Sequence, residues 1–367
     1  MTSLSEAWMQ NATAMLWQST LVMIAVWLLY ALSWKRSAAF RYALLCLILL
    51  KFLLPTSLHS ITGLGHWLGG VESQIVSSSA PPTTERFNPE TANVSPTQAT
   101  APTGQSMATT QSMDVALAPA KTHWPSVLFS TWLCGVFLLS LLLVIHALRI
   151  RRRFSHAERV TNPRILQLLD DCHQRIGLSK RIALYQLPGL SSPVLAGLFR
   201  PRILVAPETL QNLTDTHLRP IFLHELTHAK RRDLWVNTLQ IILQVLWFIH
   251  PGLWLTNWMI RRERERACDD LVLTKMEGEG RDYADSIMEV LKGTTEQRLT
   301  TVGLLGIAER GEAIKGRILR ILDTERRFEV RIGTIEYLAM AVAAILILPL
   351  GTVEKGFAFS SDKEELI

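Results

Sequence analysis

Long apolar blocks alternate with strongly charged segments along this chain. Four of the blocks approach or exceed the roughly 20 mostly apolar residues that a helix needs to cross a membrane. They lie at about residues 14–34, 42–58, 127–148 and 334–353. The pattern predicts an α-helical membrane protein with four spans. Residues 1–58 would form a two-span hairpin, and residues 126–148 and 334–353 would form the third and fourth spans.

A fifth apolar block, residues 234–260, is interrupted by His250, Pro251 and Gly252. Proline and glycine end helices, so the block predicts two short helices rather than one span. A single crossing would also carry the arginine-rich residues 261–266 to the outside, against the charge rule for membrane proteins. We therefore expect an apolar hairpin, either buried in the protein or dipping into the membrane, that returns the chain to the side it came from.

The remaining segments differ sharply in composition. Residues 59–125 are rich in Pro, Ser and Thr and lack apolar periodicity, which predicts a flexible external linker. Residues 149–333 mix apolar and charged positions and predict a folded domain, and residues 354–367 form a short external tail. Within the domain, residues 194–205 predict a short hairpin or edge strand. Such an edge could hold an extended peptide, although a sheet strand without a substrate role fits equally well.

Basic residues accumulate on one side of the predicted spans. They occur between the first two spans, directly after the third and directly before the fourth, whereas residues 59–124 carry only Arg86 and Lys121. The positive-inside rule therefore places both termini outside and residues 149–333 in the cytoplasm. The net charge of +6 comes from these clusters. Residues 149–153 and 261–266 favour contact with anionic membrane lipid, and direct nucleic-acid binding is disfavoured.

Composition excludes several other classes of protein. A mean hydropathy of +0.19 and 11 Trp residues suit a membrane protein with interfacial anchors. The four Cys residues include no CxxC pair, which argues against a disulfide scaffold or a thiolate zinc cluster. No basic segment precedes the first span, so we do not interpret it as a cleaved signal peptide. Lys51 lies inside the second span, where it either snorkels, faces the bundle interior or takes part in an intramembrane relay.

The candidate chemistry lies at His224-Glu225-Leu226-Thr227-His228, which has the pattern HExxH. Residues four apart share one helical face, so the two imidazoles can bind a single Zn²⁺. Glu225 would then be the general base that accepts a proton from the attacking water and passes it to the leaving amine. A bare HExxH also occurs as two surface histidines on an ordinary helix.

A catalytic zinc site needs a third protein ligand, and the segment RRERERACDD offers one. Glu265, Cys268 and Asp269 share a helical face there, and the predicted hairpin would bring Glu265 back beside the two histidines. Asp269 could accept a hydrogen bond from a ligand imidazole, and Cys268 is interpreted as a packing residue. The alternative for this run of charges is a solvated helix face.

These residues resemble the BlaR/MecR-type membrane metallopeptidases. HELTHAKRRDLWVN matches the family pattern HELxHxxRxDxxxN, and WFIHPGLW, ERACD and residues 191–207 resemble further family segments. The N-terminal LWQSTL and RYALLCLILLKFLLP are similar to the family's first two spans. The resemblance covers residues 15 to about 283 apart from the linker, and the combined motif is far more specific than HExxH alone.

The resemblance implies a cytoplasmic α+β, gluzincin-like zinc metallopeptidase domain in a bacterial plasma membrane protein. It assigns one Zn²⁺ to His224, His228 and Glu265, and the role of catalytic base to Glu225. Four further positions match the family motif and would support the site or the fold: Arg231, Asp233, Asn237 and Asp269. Family members signal by cutting themselves, a cytoplasmic repressor, or both.

One departure from the family concerns sensing. Its best-known members carry a large penicillin-binding domain after the last span, whereas only residues 354–367 follow it here and they contain no SxxK motif. We therefore do not expect covalent acylation of this chain by a β-lactam. Two other interpretations stay open, a membrane-protein quality-control protease and a non-catalytic membrane receptor; the pattern ExxCD favours the signalling peptidase. The sequence also leaves a homodimer open.

Overall fold

The computed structural model describes residues 2–54, 124–276, 280–298, 314–323 and 332–348. The predicted external linker, apart from residues 124–125, and the tail 354–367 lie outside them. The helices are α1 (Thr2–Leu32), α2 (Ala38–Leu53), α3 (Trp124–Phe154), α4 (Pro163–Ile176), α5 (Pro207–Asn212), α6 (Asp215–Arg231), α7 (Asp233–Leu246), α8 (Pro251–Lys275), α9 (Gly280–Arg298), α10 (residues 314–322) and α11 (Thr334–Ile347). The strands are β1 (Glu158–Arg159), β2 (Ala183–Gln186), β3 (Val194–Ala196) and β4 (Arg202–Val205).

Each predicted span lies on a helix, but the bounds differ. By length and hydropathy, α1 and α3 qualify as membrane-crossing helices in the described part of the chain. Both are longer than predicted, with 31 residues each, and α3 continues through the basic residues 151–153 because Arg is a good helix former. The second helix has 16 residues and starts four residues earlier than predicted. Residues 55–58 and 349–353 of the second and fourth predicted spans lie outside the described residues.

The apolar block at residues 234–260 forms a helical hairpin, with the turn at the Pro-Gly pair where the sequence predicts it. Its two arms, α7 and the first part of α8, pack against α1 and α2 through buried side chains that include Val22, Ile48, Leu243 and Leu253. At the tip, His250 Nε2 lies 3.2 Å from Ser19 Oγ, close to the middle of α1. The hairpin therefore follows the N-terminal helices for about half the length of α1.

A buried carboxylate fastens α8 to the N-terminal helices. Glu263 is fully buried, and its oxygens accept hydrogen bonds from Arg41 Nε at 2.9 Å and from Tyr30 OH at 2.9 Å. Arg266 Nη1 donates to the same carboxylate at 2.6 Å. Breaking such a buried charge pair leaves an uncompensated charge, which is strongly destabilising. The hairpin and the N-terminal helices consequently form one packed unit.

The α+β part contains a four-stranded sheet in the order β1-β2-β4-β3. Strands β2 and β4 are parallel, while β3 pairs antiparallel with β4 and forms one edge of the sheet. The segment at residues 194–205 is thus a hairpin with an edge strand, as its pattern predicts. Its turn uses Gly197 at φ +94°, where an added Cβ would lie 2.5 Å from the Arg200 carbonyl oxygen. The core between the sheet, α4, α6 and α9 includes Leu184, Ile203 and Phe222.

The last helix, α11, contacts the N-terminal hairpin at both ends. Near its start, Glu336 Oε1 lies 3.8 Å from Arg36 Nη1. After its other end, the Leu348 carbonyl accepts a hydrogen bond from Lys51 Nζ at 3.2 Å. Lys51 is fully buried and also donates to Gln18 Oε1 at 2.9 Å, so its side chain faces the bundle interior rather than snorkelling. An intramembrane relay through Lys51 stays a hypothesis.

Candidate metal site

The HELTH residues occupy the last two turns of α6. The spacing of four places His224 and His228 on one face, and their Nε2 atoms lie 3.2 Å apart. Both histidines and Glu225 are largely buried and line one cleft. The helix therefore presents two imidazole nitrogens and one carboxylate to a common space.

The hairpin returns the chain so that α8 brings Glu265 beside the two histidines. Glu265 Oε2 lies 3.4 Å from His224 Nε2 and 3.8 Å from His228 Nε2. Ligands at the usual zinc distances of about 2.0–2.2 Å lie about 3.3–3.6 Å apart in a tetrahedron. The three atoms thus fit one face of a tetrahedral metal site, and the combination of two imidazoles with one carboxylate suits zinc.

His228 is held by a residue only five positions further along. Arg232 adopts a left-handed conformation, φ 59°, which ends α6 and starts α7 directly afterwards. This tight junction turns Asp233 back so that its Oδ2 lies 2.8 Å from His228 Nδ1. When Nδ1 is protonated and donates to Asp233, the Nε2 lone pair of His228 is directed into the space that it shares with His224 and Glu265.

Two further motif residues, Arg231 and Asn237, lie near this contact. Arg231 Nε lies 3.5 Å from Asp233 Oδ2, and its guanidinium lies over the Tyr42 ring, 4.8 Å from the centroid. Arg231 therefore joins the site to α2. Asn237 lines the cleft one turn into α7.

His224 is held by residues from three other elements. Tyr283 OH, on α9, lies 2.9 Å from His224 Nδ1 and donates to Asp269 Oδ1 at 2.6 Å. Asp269 itself is 3.5 Å from His224 Nδ1, so its contact with the imidazole passes through the Tyr283 hydroxyl. Arg317, on α10, donates from Nε to Asp269 Oδ2 at 2.9 Å and from Nη2 to Asp269 Oδ1 at 2.7 Å. The Tyr283 hydroxyl thus accepts a hydrogen bond from His224 Nδ1, and the Nε2 lone pair of His224 faces the site.

Burial and the charges around the site shift the pKa values of two candidate ligands, Glu265 and His228. Burial would raise the pKa of Glu265, but a hydrogen bond to His224 and the charges of His224, His228 and Arg317 hold it well below its usual range. Burial opposes protonation of His228, yet Asp233, Glu265 and Glu225 together raise its pKa. Glu265 is therefore ionised at neutral pH, the state in which a carboxylate binds a metal.

Cys268 packs behind His228 on the side away from Glu265. Its Sγ lies 3.4 Å from His228 Nδ1 and 3.5 Å from Asp233 Oδ2. The three residues could form an alternative metal-binding group, but that group would use the ring nitrogen that already contacts Asp233. Burial raises the pKa of the Cys268 thiol well above its usual value, which disfavours the thiolate that a metal needs. Its burial agrees with the predicted packing role.

A family model described as BlaR1 peptidase M56 matches residues 11–321, most of the chain. The chain belongs to the BlaR1 peptidase M56 family. This confirms the resemblance to BlaR/MecR-type proteins and places the chain among membrane-bound metallopeptidases of a regulatory type.

Two curated relatives illustrate the match. The regulatory protein BlaR1 of Bacillus licheniformis is 26% identical over 201 residues, which cover 54% of this chain and 33% of the relative. The methicillin resistance mecR1 protein of Staphylococcus aureus is 24% identical over 176 residues, which cover 47% of this chain and 30% of the relative. The alignments thus span about a third of the length of these relatives.

The candidate site of this M56 protein opens into a cleft of about 630 Å³. One wall carries residues 191–195 and therefore includes the edge strand β3. Another part of the lining comes from α9 and α10 and is largely apolar: Ile287, Val290, Leu291 and Ile314. Arg264 and Arg317 place two guanidinium groups in the same cleft.

Two residues of the site were missed by the sequence analysis, Tyr283 and Arg317. A single tyrosine 14 positions after Asp269 carries no motif signal. Arg317 lies in the amphipathic stretch AIKGRILRILDTERR, whose first two arginines, Arg317 and Arg320, are three residues apart and so share a helical face. They contact successive aspartates, Arg317 to Asp269 and Arg320 to Asp270 at 2.6 Å. That spacing was the one available signal that α10 docks on α8.

Proposed function

We propose that this chain is a membrane-integrated zinc-dependent endopeptidase. It would transduce a signal by cleaving itself, a cytoplasmic transcriptional repressor, or both. The observation that carries the proposal is the meeting of three candidate ligand atoms, from His224, His228 and Glu265, at 3.2–3.8 Å beside Glu225 in an open cleft. Residues that are 41 positions apart in sequence would not converge in this way on an ordinary charged helix face.

The donor set fits a bound zinc ion, which would supply the Lewis acidity that activates water and polarises a peptide carbonyl. Glu225 lines the same cleft and is the candidate general base. Its carboxylate would accept a proton from the attacking water and deliver it to the leaving amine. The guanidinium groups of Arg264 and Arg317 favour the negative charge that develops on the carbonyl oxygen.

The cleft suits an extended peptide. Strand β3 pairs with β4 along one edge and borders the cleft with residues 194 and 195. A substrate strand could add to β3 through main-chain hydrogen bonds, and the apolar wall from α9 and α10 would take its side chains. This supports cleavage of a protein segment rather than of a compact small molecule.

The membrane topology is also a proposal. We infer four spans with both termini outside and the peptidase part in the cytoplasm, supported by the distribution of basic residues. The hairpin of α7 and α8 turns large apolar side chains outward, among them Ile242, Ile249 and Trp254, each at least 50% exposed. Such a surface fits lipid better than water, so the hairpin would dip into the bilayer beside α1 and α2.

The test compares cells that produce the wild type with cells that produce Glu225→Ala at matched membrane levels, by mapping new protein N-termini across the proteome. The exposed Glu208→Ala is the control and should behave as the wild type. Cleavage of this chain or of a few soluble targets by the wild type alone is the expected result. Cuts spread over many damaged membrane proteins would favour a quality-control protease. No difference, together with purified protein that binds no zinc, would overturn the enzymatic proposal.

A further inference from the structure

A second cleft, of about 450 Å³, lies where the turn between α1 and α2 meets α8 and α10. Its lining is almost entirely basic: Trp34, Lys35, Arg41, Arg266 and Arg320. These residues come from three regions that are distant in sequence, residues 34–41, Arg266 and Arg320, so the cluster is produced by the fold. None of its residues lines the candidate metal site.

The positive charge of this cleft is only partly neutralised. Arg41 and Arg266 share the single carboxylate of Glu263, and Arg320 pairs with Asp270. Among the described residues, Lys35, Arg41 and Arg266 thus have one carboxylate partner between them, Glu263. Lys35 is solvent-exposed, and its Nζ lies 6.0 Å from the centroid of the Trp34 ring. The balance favours an anion, and guanidinium groups bind phosphate oxygens with matched geometry.

Exposed apolar side chains lie at the end of α1, just before the turn that lines the cleft. Leu28 is 61% exposed, Leu32 is 80% exposed and Trp34 is 71% exposed. Leu28 and Leu32 are four residues apart and share one face of the helix. Exposed tryptophan next to basic residues is typical of the membrane–water interface. Trp34 lines the cleft itself, so an occupant would meet both positive charge and exposed apolar surface.

We propose that this cleft binds the phosphate-bearing headgroup of an anionic membrane lipid, whose acyl chains lie along the exposed face of α1. Basic pockets between membrane helices on the cytoplasmic side are suited to such headgroups. A free phosphate would use the basic residues but not the apolar surface. Arg320 lies one helical turn from Arg317, so the lipid would contact the same helix that reaches the candidate metal site.

The experiment measures lipid binding to the full chain by native mass spectrometry in a neutral detergent, with phosphatidylglycerol and phosphatidylcholine as probes. Lys35→Gln removes one exposed charge from the cleft. Arg152→Gln is the matched control, because it removes one charge from the exposed basic end of α3 outside the cleft. We expect tighter binding of phosphatidylglycerol than of phosphatidylcholine. Lys35→Gln should weaken phosphatidylglycerol binding about fivefold and Arg152→Gln less than twofold.

Two outcomes would overturn the proposal. Equal weakening by both variants would mean that the protein attracts anionic lipid through its general charge rather than through this cleft. Displacement of phosphatidylglycerol from the wild type by an equal concentration of inorganic phosphate would mean that the cleft is a free-phosphate site. The competition uses unaltered protein and does not depend on peptidase activity, so its result stands whatever becomes of the proposed function.

Discussion

The two histidines of the candidate site are supported in opposite ways. His228 is oriented by Asp233, five residues away across one tight helix junction. His224 is oriented by Tyr283, which is held in turn by Asp269 and Arg317 from α8 and α10. The first arrangement is local and forms with the α6–α7 junction. The second requires three distant segments to dock, so it is the side of the site that a change elsewhere in the molecule can reach.

The largest effect should follow from Asp269→Ala on the His224 side. Asp269 is almost fully buried, and its loss leaves the Arg317 guanidinium without its carboxylate and the Tyr283 hydroxyl without its acceptor. Removing one partner of a buried pair costs about 3 kcal/mol or more, and we expect the lower end because Arg317 is partly exposed. Denaturant unfolding of the detergent-solubilised protein measures the change.

Asp171→Ala is the control for that experiment. It also removes a carboxylate from an Arg pair, with Arg219 at 3.0 Å, but Asp171 is half exposed. The loss should be below about 1 kcal/mol. If the two variants lose equal stability, the network around His224 does not stabilise the fold as strongly as we expect.

A change on the local side should act on metal binding more than on folding. Asp233→Asn keeps the size of the side chain but removes the negative charge that orients His228 and makes it a better ligand. We expect zinc affinity to fall about 10- to 100-fold, measured by competition with a chelator. Asp285→Asn, an exposed position on α9, should leave the affinity unchanged. Unaltered zinc binding in Asp233→Asn would show that the short contact to His228 does not matter.

Of the three changes, Tyr283→Phe, on the His224 side, should have the smallest effect. It removes the hydroxyl between His224 and Asp269, but Asp269 Oδ1 already lies 3.5 Å from His224 Nδ1 and can take the hydrogen bond directly. We therefore expect less than a tenfold loss of zinc affinity in the same chelator assay. A loss as large as that of Asp233→Asn would remove the contrast between the two sides.

The sequence reveals the local features of the molecule and misses the assembled ones. Helical spacing places His224 and His228 together, and the Pro-Gly pair fixes the turn of the hairpin that returns Glu265. The edge strand β3 likewise follows from a β-branched run with a glycine turn. Asp233 was recognised as a motif position, although its contact with His228 depends on the left-handed Arg232, an unusual conformation for a residue other than glycine.

Long-range contacts explain what the sequence analysis could not supply. Nothing in the local pattern around Tyr283 says that its hydroxyl lies between a histidine on α6 and an aspartate on α8. Arg317 was seen only as part of an amphipathic stretch, because its partner Asp269 is 48 positions away. Similarly, Asp269 was expected to contact an imidazole, and the structure interposes a tyrosine that only the packing of α9 could reveal.

The hairpin of α7 and α8 limits how this protein can be divided into separate fragments. It is inserted in the chain between the HELTH helix and Glu265, and it packs on α1 and α2 with Glu263 bound to Arg41. The hairpin therefore links the candidate active site to the N-terminal helices, because it shares their core and continues directly into the segment that carries Glu265. We expect that a fragment without the N-terminal helices is not water-soluble, because it would still expose the apolar surface of the hairpin. The enzyme would work only where its N-terminal helices are.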